Sequence, residues 1–331
     1  MVLIISYSGG SVNEVIDWLD SKGTVVHRLN PYLDQIDLKE IQLTNNKTDI
    51  QLHFKNRNIT SLLSDYESVW IWHGNLKLNN SIPRPLNNEN CEAIKRIEVS
   101  LKNHNSILIN YLAVYTMHLP VTVIGNYKLQ DLNKLEVLFK AKMFGITIPD
   151  SYIISRKSRL IEVLKEKEII TKPYHEVAFP VYENQTYQNY TAEISIDALK
   201  ETEEEFYPTL FQSKIDKIFE IRTLYLLGKF YSMAIFSQQS TKTKLDFRNY
   251  NFEKPNRTVA VNLPIEIERK LDKLMNSLNL NMGAIDLIYT SENEYVFLEI
   301  NPIGQFGMIS TPCNYYLEKL ITNHLIKKNG N

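Results

Sequence analysis

Three oxygen-bearing side chains in the last fifth of the chain have the types and spacing to bind a cation. Glu299 and Asn301 stand two apart in Phe297-Leu298-Glu299-Ile300-Asn301-Pro302, and Asp286 opens the earlier run Asp286-Leu287-Ile288-Tyr289. On a strand, Glu299 and Asn301 share one face while Leu298 and Ile300 turn to the other, and Asp286 on a partner strand can join them. So few hard oxygen donors suit Mg²⁺, which completes its shell with water and nucleotide phosphates. A solvated hairpin face would show the same residues. Lys172-Pro173, closing the apolar run Ile169-Ile170-Thr171, offers a point charge to a phosphate. Lys134 is a weaker candidate, because lysine also suits a helix start by propensity alone.

Phe211-Gln212-Ser213-Lys214-Ile215 reads as a strand leading into Asp216. Its backbone could pair with an adenine edge and the carboxylate with ribose hydroxyls, and an edge strand relieved by charge is the alternative. Arg222 lies among Phe219, Ile221, Leu224 and Leu226, on the strand face it shares with Glu220. A buried ion pair between Arg222 and Glu220 is as good a reading as a phosphate contact.

The elements that must hold these groups follow from periodicity. Val2 to Ser6, a helical stretch from Val12 to Ser21 and a strand from Thr24 to Leu29 make a βαβ opening. Val69 to Trp72, Ile107 to Asn110 and Val121 to Ile124 read as further short buried strands of a parallel or mixed sheet. Asn133 to Phe144 is an amphipathic helix stopped by Gly145, and Lys157 to Lys165 is a helix between strands at Tyr152 to Ser155 and Glu168 to Pro173. Glu176 to Glu193 is a hairpin or a loop. From Pro208 the pattern is mostly antiparallel: Thr209 to Ile215, Ile218 to Leu227 and Lys229 to Ser237 are strands, followed by a polar loop through Arg257. A helix over Ile265 to Leu278 precedes a hairpin of Met282 to Tyr289 with Tyr295 to Ile300, and a last helix covers Tyr315 to Lys327.

Composition narrows the class. The chain has 331 residues, 44% apolar, with 37 basic and 38 acidic side chains. Two or three packed subdomains are expected at this length, and a net charge of -1 gives no reason to bind nucleic acid. No run reaches the roughly 18 apolar residues of a membrane span. Cys91 and Cys313 match no metal or redox spacing, so free thiols in a cytoplasmic setting are expected. The acidic run Glu201 to Glu205 reads as a solvated helix face.

Taken in order, Lys134, Lys172-Pro173, the Gln212 strand, Arg222, Asp286 and Glu299-Ile300-Asn301-Pro302 resemble the ATP-grasp superfamily over about residues 125 to 310, in its ribosomal-protein glutamate-ligase-like branch. Leu3-Ile4-Ile5-Ser6, Val15-Ile16-Asp17-Trp18-Leu19 and Arg28-Leu29-Asn30 look like the start of graspetide (microviridin-type) peptide ligases. Gly304-Gln305-Phe306-Gly307-Met308 and Pro312-Cys313-Asn314-Tyr315-Tyr316 resemble the end of the grasp-with-spasm maturases. The resemblance implies an α/β (α+β) ATP-grasp fold: an N-terminal pre-ATP-grasp domain at 1-125, a central subdomain at 126-208 and a C-terminal subdomain at 209-331 with a largely antiparallel sheet.

It further implies a ligase that uses ATP and Mg²⁺ on a ribosomally made precursor peptide. Asp or Glu side chains would be phosphorylated and then joined to Ser, Thr or Lys. Asp286, Glu299 and Asn301 would bind metal, and Lys134 and Lys172 the α and β phosphates. Gln212, Ser213, Lys214, Ile215 and Asp216 would contact the nucleotide, while Arg222 steadies the transferring group. Asp246-Phe247-Arg248 matches a D-x-R element tied to substrate or phosphate, with a loop ion pair as its alternative. No membrane or nucleic-acid partner is implied, and a homodimer is compatible with the family. One departure stands out: Tyr174-His175-Glu176-Val177-Ala178-Phe179-Pro180 has no glycine where the superfamily carries a glycine-rich loop, so His175 could be recruited there. The other readings are an enzyme that adds glutamate to a peptide C-terminus and a peptide-binding pseudoenzyme.

Overall fold

A computed structural model describes residues 1–7, 9–31, 33–72, 78, 92–126, 132–173, 181–182, 185–186, 191–238, 253 and 255–326. The chain forms two compact units, Met1–Gln130 with Tyr316–Asn331, and Asp131–Tyr315.

In the first unit β1 (Val2–Ile5), α1 (Gly10–Ser21) and β2 (Val26–Leu29) form the expected βαβ opening. A three-stranded antiparallel sheet of β3 (Ile36–Leu43), β4 (Thr48–Phe54) and β5 (Ile59–Leu62) follows, in a region where the sequence pattern suggested no strand. Then come β6 (Ser68–Ile71), α2 (Glu92–Met117) and β7 (Thr122–Ile124). The parallel sheet runs β2-β1-β6-β7, and β1 and β6 are buried along their whole length, as a sheet covered on both faces requires. Leu3, Ile5, Val69 and Ile71 pack with Ile50, Leu52, Leu112 and Ala113 in one core. Ile107 to Asn110, expected as a strand, lies inside α2. A four-residue apolar run fits either element, and here Leu108, Leu112 and Thr116 continue it at helical spacing.

In the second unit α3 (Lys134–Met143) is capped by Asn133, whose Oδ1 accepts from the amides of Leu135 and Glu136 at 3.0 and 3.2 Å. Gly145 ends it at φ +68, with the Ile146 amide donating back to the Ala141 carbonyl at 3.0 Å. Next are β8 (Ser151–Arg156), α4 (Lys157–Glu166), β9 (Ile169–Thr171), the short hairpin β10 (Val181–Tyr182) and β11 (Gln185–Thr186), β12 (Ala192–Ile194) and β13 (Glu205–Ser213). The order β12-β9-β13-β8 makes one antiparallel sheet, whose Ile154, Ile169 and Phe211 pack on Leu160 and Val163 of α4. The acidic run before β13 is not a helix. Glu204 accepts from the Ser158 hydroxyl at 2.6 Å, and this bond holds its carboxyl below the usual range.

The second sheet of this unit runs β16-β15-β14-β17-β18, from β14 (Phe219–Leu226), β15 (Lys229–Phe236), β16 (Arg257–Val261), α5 (Ile265–Ser277), β17 (Met282–Tyr289) and β18 (Tyr295–Asn301). β16 begins at Arg257, the last residue of the expected polar loop, and continues past it to Val261. α5 buries Leu271, Leu274 and Met275, and the Tyr225 hydroxyl donates to Asp272 Oδ1 at 2.7 Å. α6 (Gly307–Cys313) packs on β14, β15 and β16. The terminal α7 (Leu317–Ile326) packs on α1 in the first unit, and the Ser68 hydroxyl donates to the Leu325 carbonyl at 2.7 Å.

His27 in β2 is half-buried, its Nδ1 2.9 Å from the hydroxyl of buried Tyr66. Burial, then the Arg57 charge and the amino terminus, push its pKa below 6.5. The unfolded chain therefore binds a proton that the folded chain resists, and stability falls as pH drops below about 6.5. Between about pH 7.5 and 5.5 the melting temperature of His27→Gln is expected to fall less than that of the natural chain, as read by circular dichroism.

Candidate functional site

Register brings three charged side chains into one row. Arg222 on β14 faces Asp286 on β17, and Asp286 faces Glu299 on β18. Directly opposed residues of an antiparallel pair lie on the same face with Cβ atoms about 4.5–5.5 Å apart. Arg222 Nη1 donates to both oxygens of Asp286, at 3.0 and 2.9 Å, and each residue is only 6% exposed. This buried pair replaces the one considered between Arg222 and Glu220, whose carboxylate instead takes the Lys217 ammonium.

A bulge brings Glu299 into the row. The ladder runs Leu287 to Phe297 and then Asp286 to Glu299, leaving Leu298 as the extra residue. With regular pairing continued from Phe297, Asp286 would oppose Leu298, and Glu299 would point into the opposite core. On the outer edge of β18 the Phe297 amide donates to the Thr147 carbonyl at 2.8 Å, tying in the segment after α3.

That tie fits the placement of Lys134, the first residue of α3. Its Nζ lies 3.5 Å from Glu299 Oε2 and 3.4 Å from the Pro173 carbonyl. The Lys172-Pro173 pair at the end of β9, the start of α3 and the acidic row thus converge. Asn301, the exposed end of β18, accepts from the Ile303 amide through Oδ1 at 3.0 Å. Two carboxylates from adjacent strands and one amide are hard donors in the small number that suits Mg²⁺. Among the described residues no three His, Cys, Asp or Glu side chains cluster as a metal group, since the third donor here is an amide.

β13 is an interior strand, paired with β9 and β8, rather than an edge. Gln212 is 1% exposed, its Nε2 donates to the Ser151 hydroxyl at 2.8 Å, and its Oε1 is buried without a hydrogen-bond partner among the described residues. Ser213 and Lys214 still use their amides in the sheet, donating to the Asp150 and Glu168 carbonyls at 2.9 Å each. Lys214 pairs with Glu168 and Glu193 at 3.0 Å, and these bonds, Glu168 first, raise its pKa. Ile215 and Asp216 lie past the strand, half-buried and exposed. Asp246, Arg248 and His175 lie outside the described residues. Sequence reasoning gave no steric role to Gly304 or Ala284. The one signal available was a glycine right after Asn301-Pro302-Ile303 in a chain with only 11 glycines.

Breaking a buried ion pair by deleting one partner costs about 3–5 kcal/mol, whereas replacing both with apolar groups costs far less. Arg222→Met is therefore expected to destabilise strongly, and Arg222→Met with Asp286→Leu to recover most of the loss, in denaturant unfolding followed by circular dichroism.

No family profile matches the chain by sequence, and no curated protein does. Solved structures do. A RiPP-associated ATP-grasp ligase of Chryseobacterium gregarium, in complex with ADP and a leader and core peptide, is 22% identical, with 98% of this chain and 94% of that one covered at a TM-score of 0.73. The macrocyclase MdnC of Microcystis aeruginosa MRC, bound with precursor peptide MdnA, is 22% identical over 98% and 99% of the chains, with a TM-score of 0.71. The ATP-grasp ligase PsnB, complexed with a phosphomimetic variant of its minimal precursor, Mg and ADP, is 13% identical over 98% and 97%, with a TM-score of 0.68. The chain has the ATP-grasp ligase fold over nearly its whole length.

Proposed function

We propose that the chain is an ADP-forming peptide ligase that activates Asp or Glu side chains of a ribosomally made precursor peptide and joins them to Ser, Thr or Lys as macrocyclic cross-links, the chemistry of graspetide biosynthesis. The observation that carries this reading is the Arg222, Asp286 and Glu299 row with Lys134 reaching Glu299, inside this fold. Structures of the same fold crystallised with ADP and precursor peptides support it.

In this reading Asp286, Glu299 and Asn301 hold Mg²⁺ together with the nucleotide, and the metal offsets charge on the transferring phosphoryl group. Lys134 and Lys172 bind α and β phosphates. Gln212 to Asp216 contact adenine and ribose. Arg222, held by Asp286, directs its remaining donors to the phosphoryl group, where a planar fork orients better than an ammonium. An oxygen of the peptide carboxylate attacks the γ-phosphorus as the bond to the β-phosphate oxygen breaks, releasing ADP. A hydroxyl or amine then attacks the acyl carbon, phosphate leaves, and the proton of the nucleophile is lost. Each ring costs one water. Arg248, with Asp246 to orient it, engages the substrate or its phosphate. The chain works as a cytoplasmic enzyme, and a homodimer is compatible with this reading.

Mass spectrometry of a co-expressed precursor tests the assignment. Loss of about 18 Da per cross-link is expected, one water for each bond closed. A gain in amino-acid residue units would favour C-terminal extension, and an unchanged mass would favour a binding protein. Glu299→Gln with Asn301→Ala should abolish ATP turnover and leave the circular dichroism spectrum intact. Undiminished dehydration by that variant would remove the metal assignment.

A further inference from the structure

Gly304 ends the turn Asn301-Pro302-Ile303-Gly304, its amide donating to the Asn301 carbonyl at 3.0 Å. A methyl group on its α-carbon would stand 2.2 Å from Ala284 Cβ, and 3.1 Å from both Arg222 Nη2 and the Asn301 carbonyl oxygen. Carbon atoms in contact lie about 3.5–4.0 Å apart, so the first approach is impossible without movement. Gly304 does not hold a left-handed φ, so space and not backbone conformation requires the missing side chain. The neighbours have little room to yield. Ala284 is fully buried on β17, in register with Leu224 on β14 and Asn301 on β18. Arg222 commits Nη1 to Asp286, and Gly304 comes close to Nη2.

We propose that Gly304 is a positioning residue for Arg222. Its bare α-carbon lets the turn after β18 seat against Ala284 and the guanidinium, and this contact fixes where Arg222 presents Nη2. The functional part of the inference rests on the reading that Arg222 acts on the phosphoryl group, and the steric part does not.

A cycle of Gly304→Ala, Ala284→Gly and the double variant separates the two parts. Ala284→Gly removes the atom at 2.2 Å and leaves the two contacts at 3.1 Å, so partial rescue is expected. Gly304→Ala should melt several degrees lower than the natural chain, and the double variant should regain about half of that shift. With ATP, Mg²⁺ and the precursor peptide at saturation, Gly304→Ala should lose about 100-fold in kcat, while its Kd for ADP with Mg²⁺ changes less than about threefold. The double variant should recover at least about tenfold of that kcat. A Gly304→Ala chain that melts normally, or one that Ala284→Gly does not rescue, overturns the steric claim. Normal kcat in a destabilised Gly304→Ala chain overturns the positioning role. If the natural chain turns over no ATP, the reading of the function fails, and the melting cycle still decides the steric claim.

Discussion

A guanidinium and a carboxylate withdrawn from water in the middle of a sheet constrain much of the second unit. Removing two charges from solvent costs several kcal/mol per ion, and only close pairing with good geometry offsets it. Arg222 and Asp286 meet that condition because β14 and β17 are adjacent strands in direct register. A slip of either strand by one residue would turn its charge to the other face, away from its partner. Packing of the strands, α5 and α6 therefore holds a cation and an anion at set positions, and electrostatic preorganisation needs just such fixed charges.

The two cation and carboxylate contacts of the site differ in burial and in length. Arg222 and Asp286 have side chains 8% exposed and meet at 2.9 Å. Lys134 and Glu299 have side chains 29% and 15% exposed and meet at 3.5 Å. Pairs open to solvent contribute about 0–1 kcal/mol, breaking a buried pair costs about 3–5 kcal/mol, and the half-buried Lys134 and Glu299 lie between these cases. Loss of the Lys134 contact therefore costs less than loss of the Arg222 pair.

The candidate site was partly legible in the sequence. Alternation put Glu299 and Asn301 on one face, and the structure has them so. The partner of Arg222 was not legible: Glu220 lies two residues away on the same strand face, whereas Asp286 lies 64 residues on and directly opposite. On its own residues the Gln212 strand read better as an edge, because Phe211 and Ser213 say nothing about how many neighbours a strand has. Ile107 to Asn110 misled for a related reason, since a short apolar run carries no period of its own.

What the sequence by itself determined is local: the Gly145 stop of α3, the periodicity of α5, the hairpin of β17 and β18, and the types of side chain available for chemistry. Such signals act over a few residues, through backbone dihedrals and hydrogen bonds to near neighbours. Only the tertiary structure decided that Leu298 bulges, that Asp286 meets Arg222 and that Gly304 has no room for a methyl group. Those outcomes depend on which strands lie side by side and in which register. Competition among all strands for burial settles that, and no short window of residues contains it.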